Sequence, residues 1–246
     1  MSFNPEKPVT LIIGATGGVG QVLAKRLLPK ATLILAARNV ERLDALGNEL
    51  GALTLPLDAT SSASIDQAFE KIQGTHGRID QVILAVGSIL LKSAHRTTDE
   101  EWHSTININL NSAFYVVRAA TKIMQRQPEG GSILLFSTAA AQIGFANHEA
   151  IAAAKAGIEG LAKAAAASYA SRKIRINVIA PGLVETPLAL PITSNATALE
   201  ASRQMHPLGR IGQPGDIAPL AESILESTWM TGQVVVIDGG LSGLKK

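Results

Sequence analysis

Apolar residues in this chain gather in short consecutive runs. Seven of them, at 9–13, 32–36, 53–57, 81–86, 132–136, 174–179 and 233–237, are punctuated by Gly, Asp or Asn. A strand with one wet face would alternate apolar and polar positions, so unbroken runs of this length predict strands buried on both faces. Between them lie segments with helical periodicity, at 19–28, 40–50, 62–73 and 102–126, and an Ala-rich one at 151–169 whose small residues let backbones pack closely. Strand and helix alternate throughout. That order predicts an α/β protein, a doubly wound parallel sheet covered by helices, in one domain spanning 1–246. The segment 188–207 mixes Pro, Ser, Thr and small apolar residues without strong periodicity, and is expected to form a mobile flap over a site for a small uncharged ligand.

Composition narrows the partners. A length of 246 residues suits a single α/β domain. Lys and Arg number 22 against 20 Asp and Glu, a formal charge of +2, so there is no footprint for nucleic acid or an anionic membrane, and small molecules and other subunits are expected instead. Cysteine is absent, which excludes disulfides, thiolate metal sites and a cysteine nucleophile and is compatible with the cytoplasm. The start, MSFNPEKPVT, is polar and no long apolar stretch follows, so neither an export signal nor a membrane span is expected. His76, His95, His103 and His206 lack metal-ligand spacing and are read as surface or structural.

The first strand runs directly into Gly14-Ala15-Thr16-Gly17-Gly18-Val19-Gly20 and then a helix. Glycines permit a sharp turn and close approach of a pyrophosphate, whose charge is favoured at a helix N-terminus. Such loops also serve packing alone, so the context decides. The second strand ends in Ala36-Ala37-Arg38-Asn39, where a Rossmann-type dinucleotide fold meets the adenosine ribose. An acidic residue there would take a free 2′-hydroxyl, whereas Ala37 followed by Arg38 suits a 2′-phosphate and hence NADP(H). The alternative is a solvated Arg38 at a helix start.

Taken together, these motifs resemble the short-chain dehydrogenase/reductase family. Beyond the glycine loop, with Gly14, Gly18 and Gly20 at the family spacing, the match includes Asp58 with Ala59 after the third strand and Asn109 within Ile106-Asn107-Ile108-Asn109-Leu110. It continues with Ile176-Asn177-Val178-Ile179-Ala180-Pro181-Gly182, Val184 and Thr186, and with the stretch from Pro207-Leu208-Gly209-Arg210 to Asp238-Gly239-Gly240. The resemblance implies a cofactor site made by Gly14, Thr16, Gly18, Val19, Gly20, Arg38, Asp58, Ala59, Gly87, Lys155, Pro181, Gly182, Val184 and Thr186. It also implies a homo-oligomer, tetramer or dimer, assembled through helices around 111–126 and 151–169.

The family's catalytic set is Asn, Ser, Tyr and Lys. Asn109 and Lys155 match it, but the serine position holds Thr138 and the tyrosine position holds Ile151. Tyrosine and lysine must lie four apart to share a helix face, and Ala152-Ala153-Ala154-Lys155-Ala156-Gly157 fits on both sides, so the register stands. Tyr115 and Tyr169, the remaining tyrosines, fall outside the motif and are read as packing or subunit contacts. The family's Asn-Asn-Ala-Gly turn reads Leu84-Ala85-Val86-Gly87, and Gly17 stands where NADP-specific relatives often carry a basic residue, although Thr16 can still bond a 2′-phosphate.

Ile151 has no proton to give, and losing a general acid costs roughly 10² to 10⁴ in rate. Thr138 retains a hydroxyl donor, and Lys155 can still bond ribose hydroxyls. His148, one turn before Ile151, can supply a proton; alternatively it is a polar helix-start residue bonded to backbone or water. Three readings follow: an NADP(H)-dependent oxidoreductase on a small uncharged carbonyl or alcohol, an inactive NADP(H)-binding sensor, and a structural subunit paired in a hetero-oligomer with a complete relative.

Overall fold

The computed structural model describes residues 6–244. Seven strands, β1 (Val9–Ile13), β2 (Thr32–Ala37), β3 (Leu53–Pro56), β4 (Gln81–Leu84), β5 (Gly131–Phe136), β6 (Ile174–Pro181) and β7 (Val234–Ile237), form one sheet. All neighbouring pairs are parallel and the order is β3-β2-β1-β4-β5-β6-β7. The chain therefore winds outward from β1 in one direction, then returns to β4 and winds outward in the other.

Nine α-helices cover the sheet among the described residues: α1 (Gly18–Leu27), α2 (Val40–Leu50), α3 (Ser62–His76), α4 (Asp99–Ile106), α5 (Ser112–Met124), α6 (Glu149–Tyr169), α7 (Leu190–Thr193), α8 (Ala196–Met205) and α9 (Pro214–Glu226). Alternation along each strand divides the core in two. Leu11 and Ile13 pack with Phe69 of α3, Val116 of α5 and Ile158 of α6. Ile12, facing the other way, packs with Leu23 of α1, Leu43 of α2 and Ile217 of α9. This two-faced burial is why β1 is apolar at every position but one, and its Thr10 donates a hydrogen bond to Gln81. On the second face Glu222 of α9 accepts from Arg26 at 2.6 Å and from Lys30, tying α9 to α1.

The structure departs from the sequence reading in three places. The third and seventh runs lie at the sheet's edges and are only half-buried, with Leu53 52% exposed; apolar content does not reveal strand order. The helix expected over 102–126 begins at Asp99, with Thr98 as its capping residue, and is interrupted by a π-turn at Asn107–Asn111. Segment 188–207 lacks a clear period, yet carries α7 and α8, the latter capped by the Asn195 side chain accepting from Ala198 N. No described helix is long and apolar enough to cross a membrane.

Candidate active site

Because β1 and β4 are neighbours whose following segments leave in opposite directions, a crevice opens beyond their carboxyl ends. Gly14 begins the loop there with φ +88°, and a Cβ on it would lie 2.6 Å from Ala85 O. Gly20 is as constrained, since its Cβ would fall 2.3 Å from Gly14 O. Glycine at these positions lets the loop fold against β4, which leaves the first turn of α1 facing the crevice. Gly17 at its N-cap supplies no side-chain hydrogen bond and the first turn holds no acidic residue, so the positive end of this helix is uncompensated. The Thr16 carbonyl is held within the protein, accepting from Gln21 Nε2 at 3.0 Å.

The carboxyl ends of β2 and β3 place Arg38, Asp58 and Ala59 farther along the same rim. Asp58 accepts from Thr60 N and Oγ1 at 3.0 and 2.8 Å. These bonds, and secondarily the charge of Arg38, hold its carboxyl below the usual range. Ala59, next in the chain, is buried.

Beyond β4, β5 and β6 the crevice deepens into an apolar cavity of about 380 Å³. Its wall takes in Gly18, Val19, Gly87, Thr138, His148, Ile151, Lys155, Pro181, Gly182, Val184 and Thr186. Gly14, Thr16, Gly20, Arg38, Asp58, Ala59 and Asn109 are not part of that wall. The first six belong to the segments that follow β1, β2 and β3, with Gly20 and Ala59 buried, and Asn109 meets the wall at Gly87.

Lys155 is 7% exposed and its Nζ donates to Phe136 O at 2.9 Å. Burial lowers its pKa to about 8. A Cβ on Gly87 would stand 3.1 Å from Asn109 Oδ1 and 3.3 Å from Lys155 Nζ, so the bare glycine brings both side chains up to the end of β4. Asn109 is fully paired: Oδ1 accepts from Ser88 N at 3.2 Å, and Nδ2 donates to Ser88 Oγ and Thr105 O, each at 2.9 Å. The bond to Thr105 O is an amide side chain inserted in the helical ladder, and it accompanies the π-turn. Ser88 was not singled out in the sequence, and no local signal marks a pairing across 21 residues.

Thr138 donates weakly to Pro181 O at 3.4 Å and accepts from Ala140 N at 3.3 Å, so its hydroxyl can turn to a guest at little cost. Ile151 is 5% exposed, an apolar wall one turn before Lys155 on α6. His148 occupies the N-cap position of α6, with Nδ1 on Ala146 O at 2.9 Å. With its proton on Nδ1, the neutral ring offers Nε2 as an acceptor and becomes an acid there only as imidazolium. Tyr115 and Tyr169 pack against the core away from this wall.

One histidine read as surface or structural is structural in a way that bears on the site. His206 is 2% exposed and lines the cavity. Leu183 N donates to its Nε2 at 3.3 Å, so Nδ1 carries the proton donated to Ser202 O at 2.6 Å. It thereby clips α8 to the loop after β6. Thr186, farther along that loop, reaches α1: a Cβ on Gly18 would lie 2.8 Å from its Cγ2.

A family model described as enoyl-(acyl carrier protein) reductase matches residues 14–242. The 3-oxoacyl-[acyl-carrier-protein] reductase FabG of Thermotoga maritima is 34% identical over 244 residues, covering 96% of this chain and 98% of the relative. Among solved structures, levodione reductase superimposes with a TM-score of 0.92 at 28% identity, covering 99% of this chain and all of the other (100%). ElxO with NADP bound gives a TM-score of 0.90 at 25% identity, covering 97% of this chain and 100% of ElxO.

Proposed function

Because the chain belongs to the short-chain dehydrogenase/reductase family, we propose that it is an NADP(H)-dependent oxidoreductase acting on an uncharged ketone or aldehyde, or the matching alcohol, with proton transfer moved away from position 151. The observation that carries this reading is Lys155. Its ammonium has three hydrogens and, among the described residues, one hydrogen-bond acceptor, Phe136 O, in a mostly apolar wall. A charge buried in that way calls for polar partners from a ligand.

The chain's residues fit a nicotinamide dinucleotide. Gly14, Gly18, Val19 and Gly20 would hold the pyrophosphate at the uncapped end of α1, Arg38 and Thr16 the 2′-phosphate, and Asp58 with Ala59 the adenine. Gly87 and Lys155 would hold the nicotinamide ribose, and Pro181, Gly182, Val184 and Thr186 the nicotinamide side. When bound, this group supplies or accepts a hydride at the substrate carbon. Thr138 donates a hydrogen bond to the substrate oxygen, and Asn109 fixes the turn at Ser88 behind Lys155. His148 gives the oxygen its proton from Nε2 as imidazolium, directly or through a water. The cavity's Ile89, Leu91, Phe145, Leu188, Ile192 and Met205 suit an apolar chain on the carbonyl, in keeping with the name of the T. maritima relative.

A second reading rests on Ile151, whose apolar, buried side chain closes the wall beside Lys155: the protein binds NADP(H) without turnover, as a sensor or as a subunit beside a complete relative. NADPH oxidation over a panel of ketones, aldehydes and quinones separates the two. Wild-type turnover that His148→Ala abolishes supports the enzyme with a relocated acid. Silence of the wild type with activity appearing in Ile151→Tyr supports binding without chemistry, and silence of both sinks the oxidoreductase reading.

A further inference from the structure

The glycine loop itself carries no cation from Gly14 to Gly20. A guanidinium nevertheless reaches it from α2. Arg42 stands in the first turn of that helix, held there by its backbone N donating to the Asn39 side chain at 2.8 Å. Its Nη2 points across to Thr16 O at 3.4 Å. That distance is long for a charge-assisted bond, and Arg42 forms no ion pair among the described residues even though Glu41 is its chain neighbour. Arg38, at the end of β2, is likewise without an ion pair and exerts its field on Asp58. Two exposed guanidiniums thus bracket the rim, Arg38 toward Asp58 and Arg42 toward the glycine loop, beside a helix end that is itself positive.

We propose that Arg42, from outside the glycine loop, is a specificity-determining residue that recognises a phosphomonoester on the adenosine ribose, so that NADP(H) is held by two guanidiniums and NAD(H) by neither. The proposal rests on the NADP(H) reading above. A free 2′-hydroxyl offers a guanidinium no charge to bind, whereas a phosphate presents oxygens that match its planar fork. Gly17 gives the loop no side-chain charge of its own, and Arg42 brings one to the neighbouring Thr16 carbonyl from α2.

Calorimetric titration of the purified protein with NADP⁺ and, separately, NAD⁺ tests it without any substrate. Arg42→Gln is expected to weaken NADP⁺ about ten- to hundredfold, the scale of a lost charge-assisted bond, while leaving NAD⁺ within about twofold. Arg42→Lys keeps the charge and loses the fork, and is expected to fall between. Equal weakening of both nucleotides in Arg42→Gln would mean that Arg42 only braces the loop through Thr16 O, and would overturn the proposal. An unchanged Arg42→Gln beside a weakened Arg38→Gln would overturn it too, leaving the NADP(H) reading intact. A wild type that binds both nucleotides alike, or neither, removes that reading and this inference with it.

Discussion

Lys155 is a buried cation in the wall of the cavity. Its pKa of about 8 in the folded chain lies below the ordinary 10.5 because burial disfavours the ammonium. The unfolded chain therefore binds more protons than the folded one between those two values, and stability rises with pH across that window. Below about pH 8 the full cost of burying the charge is present, on the order of 3 kcal/mol. Lys155→Met should consequently be more stable than the wild type at pH 7, with the difference shrinking as pH rises toward 10.5. Urea melts of both proteins over that range check this; a difference independent of pH would mean that Lys155 is solvated well enough to titrate normally. Ile151 belongs to the same economy of charge. Ile151, one turn before Lys155 on α6, lines the cavity with an apolar side chain that offers the ammonium no hydrogen-bond partner.

At the scale of elements, the site depends on how α8 and the loop after β6 are joined. His206 accepts from Leu183 N and donates to Ser202 O while buried to 2% exposure. His206→Leu leaves both groups unpaired in the interior, at about 1–3 kcal/mol each, whereas His206→Asn can both donate and accept. Urea denaturation should therefore show a loss of about 2–6 kcal/mol for leucine, with asparagine restoring part of it. Equal losses in the two variants would assign the role of His206 to its volume. None of this was legible in the sequence. A lone histidine after an Ala- and Ser-rich stretch has no local mark of a partner 23 residues away, and the period of 188–207 is too broken by Pro and Thr to announce α8. The π-turn at Asn107–Asn111 escaped for the same reason: it accompanies the Asn109 bonds to Ser88 and Thr105, and the first of these is set only by the fold. The glycine loop, by contrast, was readable, because the strand, the turn and the helix that give Gly14 and Gly20 their meaning are contiguous.

Across the whole molecule, the strands were legible wherever a chain segment is buried on both faces, and β1 shows why: Leu11 and Ile12 must satisfy different cores, so neither can be polar. Position within the sheet was not legible, and β3 and β7, read as buried, turned out to be its edges. We propose that the exposed apolar face of α5 is covered by a second copy of the chain. On α5, Phe114 is 47% exposed, and the Arg118 guanidinium lies 5.7 Å from its ring centroid and 5.6 Å from that of Tyr115. Aromatic side chains beside an arginine are the composition favoured at the centre of an interface. α5 also packs against α6, whose Ala- and Gly-rich sequence permits close approach of another helix. Light scattering at micromolar concentration should show a dimer or tetramer for the wild type and a smaller species for Phe114→Lys, since a second cation buried at such a centre beside the Arg118 guanidinium costs several kcal/mol. A wild type that is monomeric would show that this face is exposed in solution. An oligomer indifferent to Phe114→Lys would place the contact elsewhere, with the half-buried edge strand β7 the next surface to probe.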